Sequence, residues 1–231
     1  MSVGLLLVRH AQASFDHDDY DRLSPLGERQ AQMLADHWRD RSESFAWCLT
    51  GTLQRQIATA APLQAGSPGL AMQVDPRLDE YDHRAIFYAA RPDLLDPAIL
   101  AHWKASTTDY AQAFEETWSA ALDRWMSGRH DADYRESWIQ FRKRCLAAIT
   151  DALARVPTAG CGLVFTSAGP LASVLQSCWS LPDAGLATAQ AALYNTGLTE
   201  LWRDPLAPGP GRLGQVNAIP HLQDPAWRTR R

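Results

Sequence analysis

Two short, almost wholly apolar runs, residues 4–8 (GLLLV) and 162–166 (GLVFT), constrain the fold of this chain more than any other feature. A strand with one wet face alternates polar and apolar residues, whereas a strand covered on both faces reads as continuous hydrophobic sequence. Further strands are expected at 45–50, 71–74 and 198–202, with helical stretches between them. Ser24 followed by Pro25 reads as an N-cap with proline at the first helical position, opening a helix in which Leu26, Gln30, Leu34 and Trp38 share one face. Helices are also expected over 53–63, 92–104, 110–126 and 134–155. Buried strands alternating with helices predict the α/β class, a three-layer α/β/α sandwich on a mostly parallel sheet.

A compact chain of 231 residues can bury a real core, about 70–75% of its unfolded surface, and needs no covalent staples. Cys48, Cys145, Cys161 and Cys178 are widely spaced with no CxxC pair, so they read as buried thiols and not as a zinc module or a disulfide framework. Hydrophobic residues make up 46% and charged residues 21%, and no apolar run approaches the ~20 residues that span a bilayer. A membrane partner is therefore not expected. The start, MSVGLLLVRH, has an apolar run too short for a signal peptide and no basic leader, which points to the cytoplasm. A net charge of −4 offers no global attraction to nucleic acid, so an anionic ligand must be drawn by a local basic pocket.

Residues 1–204 read as one domain. Within it, 92–126 lacks a strand and is rich in aromatics (Trp103, Tyr110, Phe114, Trp118, Trp125), which predicts a helical insertion, either packed over one end of the sheet or acting as a lid. Residues 205–231 open on PLAPGPG and read as a loop-rich, weakly ordered tail. There is no internal repeat, and the sequence leaves the oligomeric state open.

Arg9 and His10 follow the first buried strand, and the carboxyl ends of strands in such sheets are where ligands bind. Later segments give this pair its meaning. LLLVRHAQAS (5–14) resembles the signature of the histidine phosphatase superfamily, a strand followed by Arg-His-Gly. LSPLGERQAQ (23–32) resembles that family's "LT-x-x-G-x-x-QA" helix opening. CLTGTLQRQIATA (48–60) resembles its "S-x-L-x-R-A-x-x-TA" segment, and RLDEY (77–81) its "R-L-x-E" stretch. RES (135–137), the strand 163–166 with Ser-Ala-Gly after it, and YNTGLTEL (194–201) are similar to its last landmarks. The resemblance runs from residue 4 to about 202 and implies a phosphoglycerate mutase-like fold. It further implies His10 as the phosphoryl acceptor, Arg9 and Arg55 as phosphate ligands, and Glu80 as proton donor.

Physical chemistry supports such roles. A phosphomonoester carries nearly two negative charges, and its transfer is helped mainly by positive donors already in place, for which forked guanidinium groups suit better than lysines. A neutral imidazole can attack phosphorus, and a carboxylic acid can protonate the leaving alkoxide and then activate water. The expected ligand is a small phosphorylated substrate or free phosphate, with no metal and no organic cofactor.

The pattern also breaks. The family's second histidine, in a His-Gly-Gly turn after the late strand, corresponds to Ser167; Ala11 stands for a glycine, and Gly51 for a common serine. Ser167 brings a hydrogen-bond donor without charge, and one lost transition-state donor costs about 3–4 kcal/mol. Three readings follow: a phosphatase with reduced activity, a phosphate-ligand-binding pseudoenzyme or interaction protein, and, more weakly, a mutase. Asp16, His17, Asp18, Asp19 and Asp21 read as a solvated loop rather than a metal site, the glycines 160, 162 and 169 do not have nucleotide-loop spacing, and TSAG is not the Gly-x-Ser-x-Gly elbow of serine hydrolases.

Overall fold

The computed structural model describes residues 4–14, 21–157, 160–203 and 211–230, which fall into two compact units, residues 4–80 with 144–230 and residues 81–143. The first holds a six-stranded sheet in the order β3-β2-β4-β1-β5-β6, built from β1 (Gly4–Arg9), β2 (Trp47–Thr50), β3 (Met72–Val74), β4 (Cys161–Thr166), β5 (Leu198–Trp202) and β6 (Arg212–Leu213). β1, β4, β2 and β3 are parallel, and β5 and β6 add antiparallel pairs at one side. Along β1, Leu5 and Leu7 pack into a core shared with Ala148, Ile149 and Leu153 of α6 (Trp138–Arg155) and Leu171 and Leu175 of α7 (Ala168–Trp179). Val8 lies on the opposite face, in a core with Leu34 and Trp38 of α1 (Pro25–Asp40) and Ala60 and Leu63 of α2 (Gln54–Gly66). Helices thus cover both faces, the three layers that two continuous apolar strands require.

Topology fixes the place for a site. From β1 the chain crosses to β2, on the far side of β4; from β4 it passes through α7 and α8 (Asp183–Ala192) to β5, on the far side of β1. The connections leave the carboxyl ends of these neighbours in opposite directions, the arrangement at which open α/β sheets place a ligand crevice. Arg9 and Thr166 are register partners at that end, and the His10 amide donates to the Thr166 carbonyl at 2.8 Å.

α1 starts as its sequence predicts, with the Ser24 hydroxyl accepting from Gly27 N at 3.0 Å and Pro25 in the first turn. Gln30, Leu34 and Trp38 are buried and Leu26 is half-buried. This helix braces the loop after His10: Ser24 N donates to Gln12 O, and a Cβ at Gly27 would lie 2.1 Å from that same oxygen.

The stretch expected as one helix over 92–104 is instead a 3-10 turn, Pro92–Leu95, followed by α4 (Pro97–Ser106). Pro97 excludes helical geometry at Asp96, whose carboxylate then caps α4 by accepting from Ala98 N. The compact unit around it, 81–143, is wider than the 92–126 insertion expected, and takes in α3 (His83–Ala90), α5 (Tyr110–Met126) and the first turns of α6. Its interior is aromatic, with Trp125 against Tyr81, Trp138 and Phe141 at centroid distances of 5.1–5.7 Å. The expected helix over 134–155 begins only at Trp138, after a Ser137 side chain that accepts from Gln140 N.

The closing segment departs from the weakly ordered tail expected. Residues 212–213 pair with β5, and Leu198 bridges to Ala218. Gln30 Nε2 donates to Trp227 O and Thr229 Oγ1, while Asn195 N donates to Thr229 O. The expected loop at 205–210 and the expected solvated residues Asp16, His17, Asp18 and Asp19 lie outside the described residues. No helix among the described residues is long and apolar enough to cross a membrane.

Within this packing His221 is buried as a neutral imidazole. Thr196 Oγ1 donates to Asn195 O and therefore accepts from His221 Nε2–H at 2.8 Å; burial first, and then His37, push the His221 pKa down to about 3. Below the ordinary value of 6.5 the unfolded chain binds a proton that the folded chain refuses, so stability should fall as pH drops from about 6.5 toward 3. Urea midpoints at pH 7 and pH 5 should separate less for His221→Gln than for wild type; equal separations would clear His221 of this role.

Candidate active site

His10 directly follows β1 at the carboxyl end of the sheet and is almost fully buried. Its Nδ1 lies 2.7 Å from Ala11 O, and since a carbonyl only accepts, Nδ1 carries the proton. Nε2 is then a bare lone pair, and it accepts from Arg55 Nε at 3.2 Å. Burial, then Arg55, then Arg9 hold the His10 pKa well below its ordinary value, so the ring is neutral in neutral solution. The Asn195 side-chain amide donates to His10 O at 3.1 Å and fixes the backbone behind the ring.

Arg55 stands in the first turn of α2. Leu53, at the N-cap, cannot satisfy the helix's free amides, and Asp21 does so from a distant loop by accepting from Gln54 N at 2.8 Å. The same carboxylate pairs with Arg55 Nη1 at 2.7 Å and so directs the guanidinium toward His10. Arg9 is buried as well, and its Nη1 donates to Leu193 O.

Thr166 closes β4, and Ser167 and Ala168 open α7, whose N-terminus therefore lies at the same carboxyl end of the sheet as His10. Glu80 Oε2 accepts from Gly169 N at 2.9 Å, in the first turn of that helix. Ser167 is fully buried, and its hydroxyl oxygen accepts from Gln56 Nε2 at 2.8 Å. Asp79 accepts from Thr52 N at 2.6 Å and holds the loop between β2 and α2.

Of the residues singled out from sequence, His10 and Arg55 are in direct contact, Arg9 precedes His10 on β1, and Ser167 and Glu80 meet the start of α7. Three residues went unrecognised in the sequence: Asp21, Gln56 and Asn195. Asp21 was grouped with its acidic neighbours; the one signal for it is an α2 start with no capping side chain nearby. Gln56 was visible only as the residue that follows Arg55.

Residues 5–86 match the model of the histidine phosphatase superfamily (branch 1). The matched stretch takes in Arg9, His10, Arg55 and Glu80. No curated protein sequence matches it. Among solved structures, YhfR of Bacillus stearothermophilus superposes with a TM-score of 0.66 at 20% identity, covering 95% of this chain and 99% of the other. A mutant phosphoserine phosphatase from Entamoeba histolytica in complex with phosphoserine gives 0.65 at 16% identity, over 95% and 98%. The mycobacterial glucosyl-3-phosphoglycerate phosphatase with inorganic phosphate gives 0.57 at 22% identity, over 94% and 98%. At identities this low the superpositions establish the fold alone, which is phosphoglycerate mutase-like. Two small departures from the histidine phosphatase pattern are accommodated simply: the Ala11 methyl packs with Leu23 and Ala31, and the Ala168 methyl joins the core around Leu171.

Proposed function

We propose that the protein is a phosphatase that hydrolyses a small phosphomonoester through a phosphohistidine on His10. The observation that carries this reading is the tautomer of His10, protonated at Nδ1 by its bond to Ala11 O, with the Nε2 lone pair turned to Arg55. When a phosphoryl group enters, Arg55 turns from Nε2 onto its oxygens, and Arg9 adds positive charge. Nε2 attacks phosphorus as the ester P–O bond breaks, and protonated Glu80 gives its proton to the leaving alkoxide. Water then attacks the phosphohistidine, Glu80 takes its proton, and inorganic phosphate leaves with Nε2 restored. The scheme uses no metal or organic cofactor. The phosphatases among the structural neighbours support a phosphorylated metabolite as the substrate class.

A second reading, a phosphate-ligand-binding protein without efficient turnover, draws on Ser167, a neutral buried hydroxyl where the superfamily has a histidine. Steady-state release of phosphate from a panel of phosphomonoesters separates the two. Within that panel Glu80→Gln should slow alkyl phosphates by about tenfold or more beyond its effect on aryl phosphates, which leave with little protonation. An equal loss on both classes would remove Glu80 from proton transfer, and no turnover on any ester would leave the binding reading.

A further inference from the structure

We propose that Gln56 is the positioning residue for Ser167, and that the two form a neutral hydrogen-bond donor in the position the superfamily gives to its second histidine. This rests on the reading of the crevice as a phosphoryl-transfer site and names how its missing donor is replaced. The superfamily segment runs R-A-x-x-TA, whereas here Arg55 is followed by Gln56, one turn of α2 placing Arg55 on His10 and Gln56 on Ser167.

The orientation of the Gln56 amide follows from its neighbours. Leu78 O can only accept, and it already receives the Thr166 hydroxyl at 2.6 Å; the amide edge 3.1 Å away must therefore be Nε2. The second Nε2 hydrogen then points at Ser167 Oγ, 2.8 Å distant, which makes the serine oxygen an acceptor. Its own hydrogen has no acceptor among the described residues and is left for a phosphoryl oxygen in the crevice.

Three departures from the superfamily pattern meet at this point. A Cβ at Gly51 would lie 2.0 Å from Gln56 Oε1 and 2.4 Å from Asp79 Oδ1, so the serine common there is incompatible with the glutamine as it stands. Gln56 is fully buried, and its Oε1 has no partner, a cost that packing alone does not explain. A large residue has replaced alanine where a small one has replaced histidine, and glycine has made room for the exchange. The three act as one substitution.

The test takes Gln56→Met, which keeps the volume and loses the amide, with Ser167→Ala, Ser167→Thr and the double variant Gln56→Met/Ser167→Ala. Turnover of p-nitrophenyl phosphate and affinity for orthovanadate are measured on each, beside His10→Ala. Gln56→Met and Ser167→Ala should each lower kcat by about tenfold or more with KM changed less than about twofold, the double variant should be no slower than the worse single, and Ser167→Thr should keep most of the rate. Wild-type kcat in Gln56→Met, or losses that multiply in the double variant, would overturn the pairing while His10-dependent turnover still upheld the phosphatase. Should the wild type turn over nothing, the phosphatase reading falls, and the pair is judged by orthovanadate alone: binding about tenfold weaker in both single variants supports it, and equal binding overturns it.

Discussion

His10→Ala is expected to fold and to release no measurable phosphate from any ester the wild type accepts, a loss of about 10⁴-fold or more, the scale seen when a nucleophile acting in concert with its neighbours is removed. The imidazole makes two side-chain hydrogen bonds, to Ala11 O and from Arg55, and neither holds the sheet together. The strand pairing of β1 with β4 and β5 runs through the backbone, and Asn195 holds the residue by its carbonyl, which alanine keeps. Arg55 retains Asp21 when the ring is gone. Circular dichroism should therefore be unchanged while phosphate release, followed colorimetrically, vanishes. A purified variant with even one-hundredth of the wild-type rate would place the covalent step elsewhere.

Arg55→Ala should weaken orthovanadate binding by about 10- to 150-fold, the equivalent of the roughly 1.5–3 kcal/mol of a charged, forked contact. A second effect distinguishes this residue from a generic cation. Arg55 is one of the causes holding the His10 pKa down, after burial, so its removal moves that pKa up toward 6.5. Protonation silences the nucleophile, and the acid limb of kcat/KM should therefore shift to higher pH in the variant. Arg55→Lys restores charge without the fork that bridges Nε2 of His10 and Asp21, and should recover only part of the affinity. Unchanged affinity and an unmoved acid limb together would take Arg55 out of the site.

Where local chemistry decided a structure, the sequence could be read directly. β1 and β4 are continuous apolar runs because both faces are covered, α1 opens at Ser24-Pro25 because a hydroxyl and a fixed φ suit a first turn, and α5 has the bounds 110–126 that its sequence predicts. Motif order nominated His10, Arg9, Arg55, Glu80 and Ser167 as candidate site residues, and the variants above test the roles of all but Arg9. Helices without a period escaped: α7 is buried along most of its length, so no polar face marks it, and α8 is largely alanine. The break at Asp96 was legible in Pro97 and was overrun by the apolar pattern around it.

By itself, the amino-acid sequence determined the class of fold and the strand that leads into His10, since each depends on residues close together in the chain. Tertiary structure alone decided that Asp21 caps α2 and aims Arg55, that the segment near Thr229 braces Asn195, and that Gln56 reaches Ser167 across 111 positions. Hydrogen bonds of that kind select donor and acceptor by distance and direction in space, and separation along the chain carries no trace of either.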